Sequence, residues 1–299
     1  MKTSLDHLPR LRRRHLQYVL KVLLEEFERK IERGTQAWTR NGRILNVILF
    51  GSFARGDWVD SPSTGYLSDF DILVVVNHTK LTDKAEYWEE AEDRLTRRHL
   101  IDIRFPEINV VLHDYADVND QIARGRPFFL NLVRDGVALY EAKGFPLARP
   151  GTMPAEIIRE ETIGNYEGWL PDAESALQLA KVASEGGSRK WAAFMAHQAA
   201  ENAYACVMLT LTLYSPHTHN IRDLRKKAED LAPELRDVWP ARNGLSRRCF
   251  ELFKDAYIKA RYSPRYRITD EELAYGFARL EDLMVLVRQV CERHIDTLR

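Results

Sequence analysis

Cysteine is scarce in this 299-residue sequence: Cys206, Cys249 and Cys291 are the only three, far apart and without a Cys-x-x-Cys pair. That argues against a disulfide-stapled scaffold or a structural zinc site and fits reduced thiols in a cytoplasmic protein. Long apolar runs are missing too. The longest, Ile44–Phe50 and Ile72–Val76, are strand-sized and far short of the roughly 18 residues of a membrane span. The basic start (Arg10, Arg12, Arg13, Arg14) has neither the apolar centre nor the small-residue cleavage site of a secretory leader, so none is expected. Neither sign of charge is in excess, 44 Lys+Arg standing against 44 Asp+Glu; without a basic footprint, DNA binding is not expected. Only 15 Gly and 12 Pro, beside 45% hydrophobic residues, exclude a collagen-like or disordered chain. Gly-x-Ser-x-Gly, His-Glu-x-x-His and a Walker A loop are all absent, which removes the nucleophile-elbow, zincin and P-loop readings. The expectation is a soluble cytoplasmic protein of two domains, at roughly 150 residues each.

What is present is organised in halves. Residues 1–43 carry eleven Lys/Arg and five Asp/Glu, whereas residues 44–150 carry twelve and seventeen, so a basic first helix precedes an acidic segment. Leu16, Val19, Leu20, Leu23, Leu24, Phe27 and Ile31 share one helical face. Arg43–Phe50 reads as a buried strand, Gly51–Ser68 as a loop, Asp69–Val76 as a second buried strand and Lys84–His99 as a helix. A strand at Ile108–Leu112 and helices at Val118–Gln121 and Pro127–Asp135 follow. Lys143–Pro154 holds three Pro and two Gly and reads as a linker. Beyond it Ile157–Ser184, Lys190–Leu213, Asn220–Leu231, Ser246–Ala260 and Glu271–Leu298 all carry helical spacing. The fold class expected is α+β: a small mixed-sheet domain over 1–142, a linker over 143–156, and an all-α bundle over 157–299.

The chemistry concentrates in Phe50-Gly-Ser-Phe-Ala-Arg-Gly56 and Ser68-Asp-Phe-Asp-Ile-Leu-Val-Val-Val76. Side chains alternate along a strand, so Asp69 and Asp71 project from one face and repel each other. A divalent cation relieves that repulsion, and oxygen donors at this spacing suit Mg²⁺; the alternative is a solvated strand end. Gly51 after a buried strand lets a ligand approach the backbone, Ser52 adds a hydroxyl donor, and Arg55 suits a phosphate.

Together, strand, Gly-Ser, loop and Ser-Asp-x-Asp strand resemble the nucleotidyltransferase superfamily that includes DNA polymerase β, the minimal nucleotidyltransferases and the kanamycin type. GSFARG and SDFD match the family pattern; the intervening Asp57–Leu67 is longer than in compact members. The resemblance implies a nucleoside triphosphate, ATP most simply, bound by Gly51, Ser52, Arg55 and Ser68. It implies two Mg²⁺ held by Asp69, Asp71 and a third carboxylate. Asp102, Glu107 and Asp114 are the candidates for the third, with Glu107 chosen because Pro-Glu-Ile-Asn-Val resembles a strand of the kanamycin type, and Asp102 second.

In the other half, Gln198-Ala-Ala-Glu201, Thr218-His-Asn-Ile-Arg-Asp-Leu224 and Ala260-Arg-Tyr-Ser-Pro264 resemble the HEPN domain (higher eukaryotes and prokaryotes nucleotide-binding). Many HEPN ribonucleases carry an arginine, four to six intervening residues and then a histidine, and neither Arg261 nor Arg242 is followed by one in that range. Without that imidazole, ribonuclease activity is disfavoured, and His197, His217 and His219 read as loop or core residues. Glu201 is the position most similar to the helix glutamate that serves the kanamycin type as base for the acceptor hydroxyl. Small residues Ala193, Ala196, Ala200 and Ala203 form a close-packing face, expected to pair two copies in a homodimer. The function expected is Mg²⁺-dependent transfer of a nucleoside monophosphate to a hydroxyl of a small molecule, which the acidic 44–150 segment suggests is cationic, or of a protein. The alternative is a nucleotide-binding regulatory module of toxin–antitoxin type.

Overall fold

The computed structural model describes residues 1–61, 66–102, 104–216, 218–240 and 243–298, so His217 and Arg242 lie outside the described residues. The chain forms two compact units, Met1–Met153 and Pro154–Arg299. Among the described residues no helix is long and apolar enough to cross a membrane.

The first unit runs α1 (Arg10–Glu32), α2 (Ala37–Arg40), β1 (Ile44–Phe50), α3 (Gly51–Arg55), β2 (Asp60–Ser61), β3 (Tyr66–Leu67) and β4 (Phe70–Val76). It continues with α4 (Lys84–Tyr87), α5 (Glu89–Ile101), β5 (Ile108–Asp114), α6 (Tyr115–Ala123), α7 (Pro127–Asp135) and β6 (Val137–Glu141). A four-stranded sheet has the order β5-β4-β1-β6. Strand β4 is antiparallel to β1 and parallel to β5, while β6 is antiparallel to β1, so the sheet is mixed. Val47, Leu49, Phe70, Ile72, Val74 and Val76 turn one face into an apolar cluster with Leu16, Val19, Leu23 and Phe27 of α1 and Leu95 of α5. Period two on the strands meets a three-and-four spacing on α1, which is why both interdigitate there. Asp71, Leu73 and Val75, by alternation, face the other way.

Two local expectations differ. Gly51–Arg55, read as loop, is a short helix, and Val137–Glu141 adds an edge strand that also bridges Lys2. The stretch read as a linker is tied down: Gly151 N–H donates to the Ile122 carbonyl (3.0 Å), and the Tyr115 hydroxyl to the Pro146 carbonyl (2.5 Å). Gly151 passes so close to α6 that a Cβ there would stand 1.8 Å from the Ala123 carbonyl oxygen.

Among the described residues the second unit has the α-helices α8 (Ala155–Glu185), α9 (Arg189–Thr212), α10 (Ile221–Leu231), α11 (Gly244–Tyr262) and α12 (Asp270–Thr297), with a 3-10 turn at Pro233–Val238. Helix α9 packs against the four other α-helices, and its buried residues cover most of its circumference, as a central helix requires. The small-residue face expected to pair two copies is used here instead. Ala193, Ala196, Ala200 and Ala203 are each 0% exposed within the unit's own core, so that face is closed to a second copy. Helix α12 opens with a capping box in which Thr269 and Glu272 satisfy each other's backbone N–H groups, about 1 kcal/mol of definition at its start.

Helix α12 approaches α11 at Gly276, where a Cβ would lie 2.3 Å from Cζ of the fully buried Phe253. Gly276→Ala gains about 1 kcal/mol of helix propensity but overpacks a ring that cannot retreat, a cost of about 1–3 kcal/mol. We expect net destabilisation, read as a lower denaturant midpoint at unchanged m value.

Candidate active site

The two motifs meet where β1 ends and β4 begins. Phe50 is paired with Asp71 across the antiparallel ladder, so the Gly-Ser turn leaves β1 directly beside the second aspartate. Gly51 has φ +71°, and a Cβ on it would stand 2.3 Å from Asp71 Oδ2. Only glycine satisfies both the backbone conformation and the approach of the carboxylate. Within α3 the pattern is equally physical. Phe53 and Ala54 are buried anchors, Phe53 stacking on Trp58 with ring centroids 5.3 Å apart and meeting Phe70 at 4.5 Å. Gly51, Ser52 and Arg55 are left on the more open side. Arg55 donates to Asp57 at 3.0 Å, an exposed pair of the kind worth little.

Ser68 is buried, and its hydroxyl oxygen accepts the Val59 N–H at 2.8 Å while its own N–H donates to the Val59 carbonyl at 2.9 Å. It thus fastens the base of the β2–β3 hairpin. Arg12 of α1 holds the same hairpin through an ion pair with Asp60.

The parallel β4–β5 register arranges the third strand. Phe70 pairs with Ile108 and Asp71 with Asn109, and the Phe70 N–H donates to the Glu107 carbonyl at 2.9 Å. Extending that register sets Glu107 beside Asp69, on the same face by alternation, with its side chain exposed. The other two carboxylates considered are engaged elsewhere. Asp102 ends α5, pairs with Arg98 (3.1 Å) and Arg104 (3.5 Å), and is held below the usual carboxyl range first by the Arg104 backbone N–H. Asp114 caps α6 by accepting the Asp117 N–H at 3.0 Å. The residue that sequence reasoning passed over is Asn109, whose Nδ2 donates to Asp71 Oδ1 at 2.6 Å. Its signal was its place two residues beyond Glu107, on the same strand face. Among the described residues no three His, Cys, Asp or Glu side chains converge closely enough to hold a metal ion.

A family model of the nucleotidyltransferase domain matches residues 31–123, and one of the HEPN domain matches residues 166–290. The chain carries a nucleotidyltransferase domain followed by a HEPN domain. No curated protein matches it. The nucleotidyltransferase match spans the Gly-Ser turn, both aspartates and β5; its domain supports nucleotidyl transfer as the general chemistry.

Glu201 lies on α9 of the HEPN part, with both oxygens occupied. Oε2 accepts from Gln198 (2.9 Å) and lies 3.2 Å from His197 Nε2, while Oε1 lies 2.9 Å from His219 Nδ1. The fully buried His197 also places Nδ1 3.0 Å from the Phe253 carbonyl. His219 stacks on Tyr257 at 4.4 Å. His197 is a core residue and His219 a loop residue, as expected, and the Glu201 carboxylate joins the two. Burial pushes the Glu201 carboxyl up, but the hydrogen bonds from His197, His219 and Gln198 outweigh it and hold the group below its usual range.

Two outcomes are expected. Gly51→Ala should cost about 1–2 kcal/mol from its left-handed backbone alone, with more from displacing Asp71, measured as a lowered thermal midpoint. For Glu201, a depressed folded-state carboxyl contributes stability that is present above its ordinary value of 4.5 and fades as pH falls below it. Glu201→Gln should therefore lower stability at neutral pH and flatten the acid limb of the stability–pH curve; an acid limb as steep as the wild type's would refute the assignment.

Proposed function

We propose that this protein transfers a nucleoside monophosphate, AMP from ATP most simply, to an acceptor hydroxyl with release of pyrophosphate. The observation that carries the reading is that Asp71 Oδ2 stands 2.3 Å from where a Cβ of Gly51 would lie, which sets a carboxylate of the Asp-x-Asp strand directly against the Gly-Ser turn. The donor set fits Mg²⁺. That ion is ordinarily held by one or two carboxylates plus substrate phosphates and keeps several waters, so an all-protein cage is not required. When bound by Asp69 and Asp71, with Glu107 able to join from the neighbouring strand, Mg²⁺ lowers the pKa of the acceptor hydroxyl and offsets charge on the departing pyrophosphate.

The chain's own residues position and neutralise. Gly51 admits the phosphates to the end of β1, the Ser52 hydroxyl donates to them, and Arg55 exchanges Asp57 for a phosphate oxygen. Ser68, through Val59, keeps the hairpin beside the aspartates. The acceptor is a hydroxyl of a small molecule or a protein; in this reading Glu201 orders the histidine cluster of its own unit rather than serving as base, because both its oxygens are taken.

The test is incubation with ATP labelled at the α-phosphate, Mg²⁺ and a panel of hydroxylated acceptors. Label transfer with stoichiometric pyrophosphate is the expected result. Nucleotide binding without pyrophosphate across the panel would favour the regulatory module instead. Asp69→Asn and Asp71→Asn should each fold, since removing one of two like charges relieves repulsion, and should each lower transfer by about 100-fold or more. Either variant turning over at the wild-type rate sinks the metal assignment.

A further inference from the structure

Asn109 stands directly across from Asp71 in the parallel β4–β5 register, and its amide donates to Asp71 Oδ1 at 2.6 Å. The other oxygen, Oδ2, lies against the Cα of Gly51. The two contacts come from two different neighbours of β4, strand β5 on one side and the end of β1 on the other. Together they fix the plane of the Asp71 carboxylate, which otherwise rotates about its last bond. The amide is neutral, so it holds the carboxylate without competing for a cation, as an arginine or lysine at this position would.

We propose that Asn109 is a positioning residue for the cation-binding carboxylate Asp71, holding it through the amide–carboxylate hydrogen bond with its plane fixed towards the Gly-Ser turn. This rests on the nucleotidyl-transfer reading of the site and adds to it the role of an uncharged side chain at the place on β5 that faces Asp71.

The probe is Mn²⁺ with α,β-methylene-ATP, whose bridging carbon blocks transfer, read by calorimetry and by the shift in thermal midpoint of the full chain. Asn109→Leu keeps the volume and removes the donor; Asn109→Val repeats this with a strand-favouring side chain should the first variant fold poorly. Both should bind Mn²⁺ about tenfold more weakly than the wild type, the scale seen when a partner that orients a metal ligand is lost. Asn109→Asp sets like charges directly opposite each other, which is destabilising. Its thermal midpoint should be lowest in chelator and should rise further than the wild type's on adding Mn²⁺. A merely structural Asn109 would lower every midpoint and leave the Mn²⁺ affinity and shift unchanged, which overturns the assignment. If the wild type binds neither Mn²⁺ nor the analogue, the nucleotidyl-transfer reading falls and takes this role with it. If the wild type binds and Asn109→Leu and Asn109→Val bind equally well, the Asn109 role alone falls.

Discussion

The carboxylate of Asp71 rests on a residue with no side chain, and most of the first unit's local design follows from that contact. A Cβ on Gly51 would come within 2.3 Å of Oδ2, so the antiparallel pairing of Phe50 with Asp71 and the identity of the next residue are a single constraint. It forces the turn to leave β1 with positive φ, which in turn launches α3 in the direction that buries Phe53 against Trp58 and Phe70. An ionised group at the head of an apolar strand is costly unless it is hydrogen-bonded. Asn109 supplies a donor from β5, and the bare glycine leaves room on the other side. The ion pairs around it are of lesser weight. Arg55–Asp57 is largely exposed and worth a fraction of a kcal/mol at most.

In the second unit the equivalent constraint is room for helices rather than charge. Alanines at helical spacing let backbones come together, but spacing alone does not say whether the neighbour is another helix of the same chain or another copy. The deciding information is on the rest of the helix. Tyr204, Cys206, Val207 and Met208 are buried along with the alanines, so α9 is covered within its own unit well beyond the small-residue face. A helix of that kind is enclosed by its own fold. The close approach of Gly276 to Phe253 makes the same point from a different pair, since α11 and α12 are near enough that a single methyl group decides the fit.

Long periodic segments were the legible part of the sequence. All five helices of the second unit, and α1, β1, β4 and β5 of the first, announce themselves through apolar spacing, because burying one face is the main source of their stability. What stayed hidden depends on partners that no local window contains. Strand β6 is short and acquires its identity by pairing with β1 and by bridging Lys2. The glycine- and proline-rich stretch after it looks like a linker, yet the Gly151 N–H and the Pro146 carbonyl find partners on α6. At the candidate site, Gly51, Ser52, Asp69 and Asp71 were legible because their types are unusual where they stand. Asn109 was not: an asparagine on a strand becomes meaningful only once the register shows that it faces Asp71 rather than Asp69.

That register also bears on how the proposed reaction is divided among residues. A protein carboxylate acts well as a general base when its environment raises its pKa towards neutrality. Glu201 is held in the opposite direction, with two imidazoles and an amide donating to it, so taking a proton from a hydroxyl would mean surrendering hydrogen bonds that stabilise its charge. Activation of the acceptor by a cation makes no such demand, because the cation lowers the hydroxyl's own pKa and leaves the proton to any acceptor, water included. The chain has invested accordingly. Asp71 on β4 is held by an amide from β5 and stands against the Gly-Ser turn. The side chains around Glu201 bond to one another between α9 and the loop that carries His219.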